Sequence, residues 1–148
     1  MNKPRSLLFI CTHNAVRSPM AEGLLRDIVQ KKSLGTIDIQ SAGLIEKEVN
    51  GFAISVMKEL GINIHNHEAQ TIYDLDLERF DKVIALSKIS NDALNAERDK
   101  GRLPAFEFWP MPDPSKPDAN REQQLASYRE LRDQLQEKVK ALLDGLQI

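Results

Sequence analysis

FICTHNAVRSP, residues Phe9 to Pro19, joins a short apolar run to a loop that opens on Cys11, the only cysteine among 148 residues. Upstream, Ser6 to Ile10 reads as a strand buried on both faces, because its apolar character is continuous rather than alternating. Downstream, Met20, Leu24, Leu25 and Ile28 recur on one helical face. Ser18 suits the cap of that helix, and Pro19 suits its first position, where a missing N–H is not needed. The segment from Cys11 to Ser18 is therefore expected over a helix N-terminus, where unpaired amides and the helix dipole favour an anion.

The same alternation continues along the chain. Further strands are expected at Asp38 to Ser41, Val83 to Leu86 and Ala105 to Trp109. Between them, Phe52, Val56 and Leu60 mark a second helix and Ser90 to Lys100 a polar third. Leu125, Tyr128, Leu131, Leu135, Val139, Leu142 and Leu146 mark a long amphipathic fourth. This order predicts an α/β fold of three layers, with a four-stranded parallel sheet, helices on both faces and right-handed crossovers. One domain is expected over residues 1–148; the proline-rich WPMPDPSKP, Trp109 to Pro117, is too short to be a boundary. Ligands of such sheets bind at the carboxyl ends of the strands, and the loop from Cys11 is the first of these.

Composition narrows the function classes. Hydrophobic residues at 41% and charged residues at 28% are ordinary for a globular protein, and a net charge of −2 provides no field for nucleic acid or an anionic membrane surface. The apolar run near the N-terminus is too short for a signal peptide, and no segment has transmembrane length. A lone cysteine cannot form an intrachain disulfide, so a reducing, cytoplasmic setting is expected, with the thiol serving packing or chemistry. The three histidines, His13, His65 and His67, lack metal-ligand spacing with the cysteine and read as loop hydrogen-bonders; neither metal nor cofactor is expected. Phe106, Phe108 and Trp109 read as core or cleft wall.

A single buried cysteine is ordinarily a small hydrophobe. Its neighbours argue for chemistry: a thiol over a helix N-terminus beside Arg17 has its thiolate form favoured, and a guanidinium fork can hold two oxygens of a tetrahedral oxyanion. A carboxyl group beside such a loop could protonate a leaving oxygen, and Asp113, between Pro112 and Pro114, follows the fourth expected strand and so emerges at the same sheet edge. Asp before proline is also a common turn former.

Cys11-x5-Arg17-Ser18, with Asn14 at its third loop position and SPMAEG (Ser18 to Gly23) continuing into the helix, resembles the signature of the low-molecular-weight tyrosine phosphatase and arsenate reductase superfamily. The resemblance runs from Leu7 through the final helix and implies a flavodoxin-like fold of the low-molecular-weight phosphatase type. It implies Cys11 as nucleophile and Arg17 as clamp on the transferred group. Thr12, His13, Asn14, Ala15, Val16 and Ser18 would form the phosphate loop, and Asp113 of the Asp-Pro pair would be general acid and then base. It further implies that Ser18 bonds the thiolate, and that Asn14, Ser41 of the SAG segment and His67 of the HxA-type segment keep the loop in shape.

The middle of the loop and the later segments depart from the family pattern. Val16 stands where many of its phosphatases carry a second cysteine, and ALSKISNDALN, Ala85 to Asn95, offers Ser87 and no thiol for an internal redox relay. Asp113 is followed by Pro114, Ser115 and Lys116 in place of aromatic residues, which leaves phosphotyrosine open as a substrate. His13-Asn14-Ala15 resembles arsenate reductases that rely on an outside thiol. The expected function is thus a cysteine-dependent phosphatase acting on a phosphorylated protein or a small phosphomonoester. The alternative is an arsenate reductase using glutathione or mycothiol with a redoxin, and the non-enzymatic alternative is an oxyanion-binding regulator.

Overall fold

The computed structural model describes residues 6–103 and 105–146; the side chain of Leu146, expected on the last helical stripe, lies outside the described residues. The order is β1 (Ser6–Ile10), α1 (Arg17–Lys31), β2 (Asp38–Ala42), α2 (Gly51–Lys58), two short 3-10 turns (Ile72–Asp74 and Leu77–Arg79), β3 (Lys82–Ala85), α3 (Lys88–Asp99), β4 (Glu107–Phe108) and α4 (Arg121–Leu146). All pairings are parallel and the strand order is β2-β1-β3-β4, so the expected four-stranded parallel sheet is present.

Every residue of β1 is buried because the strand is central and covered on both faces. Leu7 and Phe9 point into a core shared with α1, α2 and α4, while Leu8 and Ile10 point into a second core built with Leu94 of α3, the 3-10 turns and Leu103. This split follows from the two-residue repeat of a strand. The chain leaves β1 for β2 on one side and comes back to β3 on the other, so the crevice of the sheet opens at the carboxyl end of β1.

Element boundaries differ from the sequence expectations for identifiable reasons. β4 holds only Glu107 and Phe108, although the chain still follows β3 through Trp109 N to Ala85 O at 2.8 Å and Met111 N to Leu86 O at 3.1 Å. Pro110 and Pro112 lack the amides a longer ladder needs. Trp109 enters the core against Phe9, with centroids 6.0 Å apart, whereas Phe108 is 38% exposed. Leu60 falls outside α2, which closes with Gly61 at a φ of +76° and Ile62 N donating to Met57 O at 3.1 Å. α3 begins before Ser90, because Ser87 caps it in a reciprocal pair with Ser90.

α4 closes the first core with Leu125, Tyr128, Leu131, Leu135 and Val139. Its start is fixed by the reciprocal bonds of Asn120 and Gln123, at 3.0 and 2.9 Å. Arg129 and Arg132 then clasp Glu59 at 2.8 and 2.7 Å, and Arg132 Nη1 also donates to Val56 O at 2.9 Å, anchoring α4 on the end of α2.

Candidate active site

The loop between β1 and α1 is built around the Cys11 sulfur. Cys11 is 2% exposed, and its amide donates to Ala42 O at 3.2 Å. Ser18 does not cap the helix as its position in the sequence suggests. α1 begins two residues before Pro19, at Arg17, after Val16 with no side-chain cap, and Ser18 is fully buried. Its hydroxyl stands 2.8 Å from Cys11 Sγ, and its amide donates to the same sulfur at 3.4 Å.

Backbone hydrogen bonds decide how the loop faces. Thr12 O accepts from the amides of Leu44 and Ile45 at 2.8 and 3.2 Å, His13 O from Lys47 at 3.2 Å, and Ala15 O from Asn50 at 2.9 Å. The carbonyls are thus taken by the segment after β2, while the amides from Thr12 to Arg17 donate to no acceptor among the described residues. Such a run of unspent donors at a helix start is suited to an anion. The approach of the two segments is close enough to require glycine: a Cβ on Gly43 would stand 2.7 Å from Asn14 N and 2.8 Å from His13 C.

Asn14 is the buried hub beneath the loop, at a φ of +56° that asparagine tolerates better than most residues. Its Oδ1 accepts from Gln70 N at 3.0 Å, which identifies that atom as oxygen, since an amide can only donate. His67 Nε2, 3.0 Å from the same oxygen, must therefore carry a hydrogen. Asn14 Nδ2 donates to Ser18 Oγ and to Ser41 Oγ, each at 2.9 Å, and Ser41 passes its own hydrogen to Glu22 Oε1 at 2.5 Å. With its oxygen already accepting from Asn14, the Ser18 hydroxyl has its hydrogen free for the sulfur, the nearer of its two possible acceptors; Ala42 O lies at 3.4 Å.

Above the loop lies a cleft of about 360 Å³ whose wall includes Cys11, Ala15, Val16, Arg17 and Asp113, with Thr12 and His13 beside them. Arg17 Nη1 donates to Met111 O at 3.2 Å, linking the guanidinium to the segment that carries Asp113. Asp113 Oδ1 accepts from Ser115 N at 3.0 Å, a turn that presents the carboxyl group on the cleft. Thr12 Oγ1 donates to Ser87 Oγ at 3.1 Å, joining the loop to the cap of α3. Asn14, Ser41 and His67 are brought together below the loop, and none of them lines the cleft; His65 stays apart from both. Among the described residues, no group of three His, Cys, Asp or Glu could hold a metal ion.

Several residues of the site are not singled out by sequence reading. Glu22 and Gln70 complete the network beneath the loop, and Lys47, Glu48, Asn50, Ile89, Ser115 and Tyr128 share the cleft wall. Asn50 did carry a signal, because it precedes the apolar helix it caps through Phe52 N and Ala53 N at 2.8 and 3.1 Å. Burial and the charge of Asp113 raise the Tyr128 phenol above its ordinary value, against the opposing effect of the Asn50 side chain.

Comparison with known proteins bears on this geometry. A model of the low molecular weight phosphotyrosine protein phosphatase family matches residues 6–148. The chain is 34% identical to an arsenate reductase of Halalkalibacterium halodurans, over 97% of this chain and 98% of that one. It is 30% identical to a glutaredoxin arsenate reductase of Synechocystis sp., over 94% and 96%. The solved structure of the YwlE arginine phosphatase from Geobacillus stearothermophilus is similar with a TM-score of 0.76 at 27% identity, over 97% of this chain and 94% of that one.

Proposed function

We propose, for a chain that belongs to the low molecular weight phosphotyrosine protein phosphatase family, that it hydrolyses phosphomonoesters through a phosphocysteine intermediate. The observation that carries this reading is the Ser18 hydroxyl at 2.8 Å from Cys11, under a loop whose amides are unspent, with Arg17 and Asp113 on the same cleft. Cys11 attacks phosphorus in line and the bond to the leaving oxygen breaks, while Asp113 supplies the proton that oxygen takes up. The amides from Thr12 to Arg17 and the Arg17 fork hold the equatorial oxygens as charge redistributes. Water then attacks phosphorus, Asp113 accepts its proton, and the sulfur leaves as a thiolate held by Ser18. Asn14, Ser41 and His67 serve by fixing the loop. The substrate is a phosphorylated protein or a small phosphomonoester, and no cofactor takes part.

The arsenate reductases among the relatives favour a second reading. Arsenate resembles phosphate in charge and shape and would enter the same loop, where the Cys11 sulfur would bond to arsenic as one arsenate oxygen takes up protons and leaves as water. With a single cysteine in the chain, both electrons for arsenite formation would have to come from outside thiols, glutathione or mycothiol with a redoxin. A paired assay separates the readings. Turnover of p-nitrophenyl phosphate that disappears in Cys11→Ser supports the phosphatase. Arsenite formation with outside thiols and negligible esterase activity overturns it in favour of the reductase.

A further inference from the structure

Arg17 is half-buried at the start of α1 and lines the cleft it shares with Cys11. Its Nη1 donates to Met111 O at 3.2 Å, across 94 residues of sequence, and this is its one hydrogen bond to a described residue. A guanidinium carries five N–H donors in one plane. With Nη1 spent on the carbonyl, Nε and Nη2 are the adjacent nitrogens of which neither is committed. They form an edge that can give two parallel bonds to an oxyanion.

The acceptor is itself fixed. Met111 N donates to Leu86 O at 3.1 Å, and the Met111 side chain is buried in the core closed by α1 and α4. Two residues earlier, Trp109 N donates to Ala85 O at 2.8 Å, so the segment is tied to the chain at the end of β3 on both sides of Pro110. The direction of a carbonyl depends on the ψ of its own residue, and a following proline confines that ψ to the extended region. Pro112 supplies the constraint for Met111. It is exposed and belongs to neither core, so its contribution here is to the backbone. We propose that Met111 is a positioning residue: its carbonyl, aimed by Pro112, holds the Arg17 guanidinium with the Nε and Nη2 edge left for the oxyanion. Rotamer freedom that a long side chain would lose on binding is then lost on folding, which strengthens binding. That Arg17 clamps an oxyanion rests on the proposed function and holds for phosphate and arsenate alike.

Nitrogen NMR of the arginine side chains tests the contact in the folded chain without substrate. With Nη1 held, rotation of the Arg17 guanidinium should be slow enough to give resolved Nη signals, assigned by their loss in Arg17→Lys. Pro112→Ala, on an exposed residue, should merge those signals. It should also weaken the binding of inorganic phosphate, titrated by calorimetry, by about two- to fivefold, the scale on which a proline constraint acts. A single averaged Arg17 signal in the wild type overturns the proposal. So does a Pro112→Ala variant that shifts only the urea midpoint, the mark of a merely structural proline. Asp113→Asn should leave the resolved signals in place; their loss would assign the hold to the carboxyl group and overturn the role of the carbonyl. If the wild-type protein binds no phosphate, the reading of Arg17 as a clamp fails, while the nitrogen signals still decide its contact with Met111.

Discussion

The Ser18 hydroxyl lies 2.8 Å from the Cys11 sulfur, and Asn14 donates to the same Ser18 oxygen at 2.9 Å. A hydrogen bond to a charged group contributes about 1.5–3 kcal/mol, so Ser18→Ala is expected to lower turnover of p-nitrophenyl phosphate by about 10- to 100-fold. The thiolate leaves less readily from the intermediate, and mass spectrometry of the quenched reaction should find more phosphocysteine than in the wild type. An unchanged turnover would remove Ser18 from the mechanism.

Asn14 joins Ser18, Ser41, His67 and Gln70 from beneath the loop at a positive φ. Asn14→Ala leaves their buried donors and acceptors unmatched and places a Cβ residue with no polar side chain in the left-handed region. Loss of about 3 kcal/mol or more is expected in urea unfolding, with activity abolished. Asn14→Gly relieves the backbone alone; it should recover part of the stability and none of the activity. Recovery of activity in the glycine variant would mean that the side-chain network is dispensable.

Gly43 has backbone on every near side: Asn14 N, His13 C and Thr12 O at 2.7, 2.8 and 3.0 Å from a built Cβ. Backbone cannot swing aside as a flexible side chain can. Gly43→Ala should therefore move the loop away from β2, with about 1–3 kcal/mol lost in urea unfolding and a fall in phosphate affinity measurable by calorimetry. Wild-type affinity in this variant would show that the two segments part without consequence for the loop.

Glu59 is held down to about 2 by its hydrogen bonds to Arg129 and Arg132. A carboxyl group with a depressed folded-state value stabilises the fold above its ordinary value, about 4.5, and loses that contribution as pH falls from there toward about 2. Glu59→Gln should lower the urea midpoint at pH 7, and the gap to the wild type should narrow steadily below pH 4.5. The pair is partly exposed, so high salt should narrow it as well. A gap independent of pH would assign the effect to side-chain packing.

Local pattern and spacing carried much of this protein. The continuous apolar run of β1, the helical stripe from Met20 to Ile28 and the alternation that follows specify a parallel sheet with its crevice at Cys11. Cys11, Arg17 and Ser18 are legible because they lie within one loop, and Asp113 because it follows the last strand. Other features belong to relations between distant segments. Ser18 lies inside the helix it was expected to cap, and its hydroxyl meets the Cys11 sulfur and the Asn14 amide instead. Gly43 is required by the approach of β2 to the loop, and Glu22, Gln70, Asn50 and Tyr128 reach their partners only when the helices close over the sheet. The sequence by itself therefore determined the architecture and placed Cys11 and Arg17 in one loop at its crevice, since periodicity and spacing are properties of neighbouring residues. Tertiary structure alone decided which way each donor points and which side chains wall the cleft, because hydrogen bonds and burial depend on distances between segments that the order of residues does not contain.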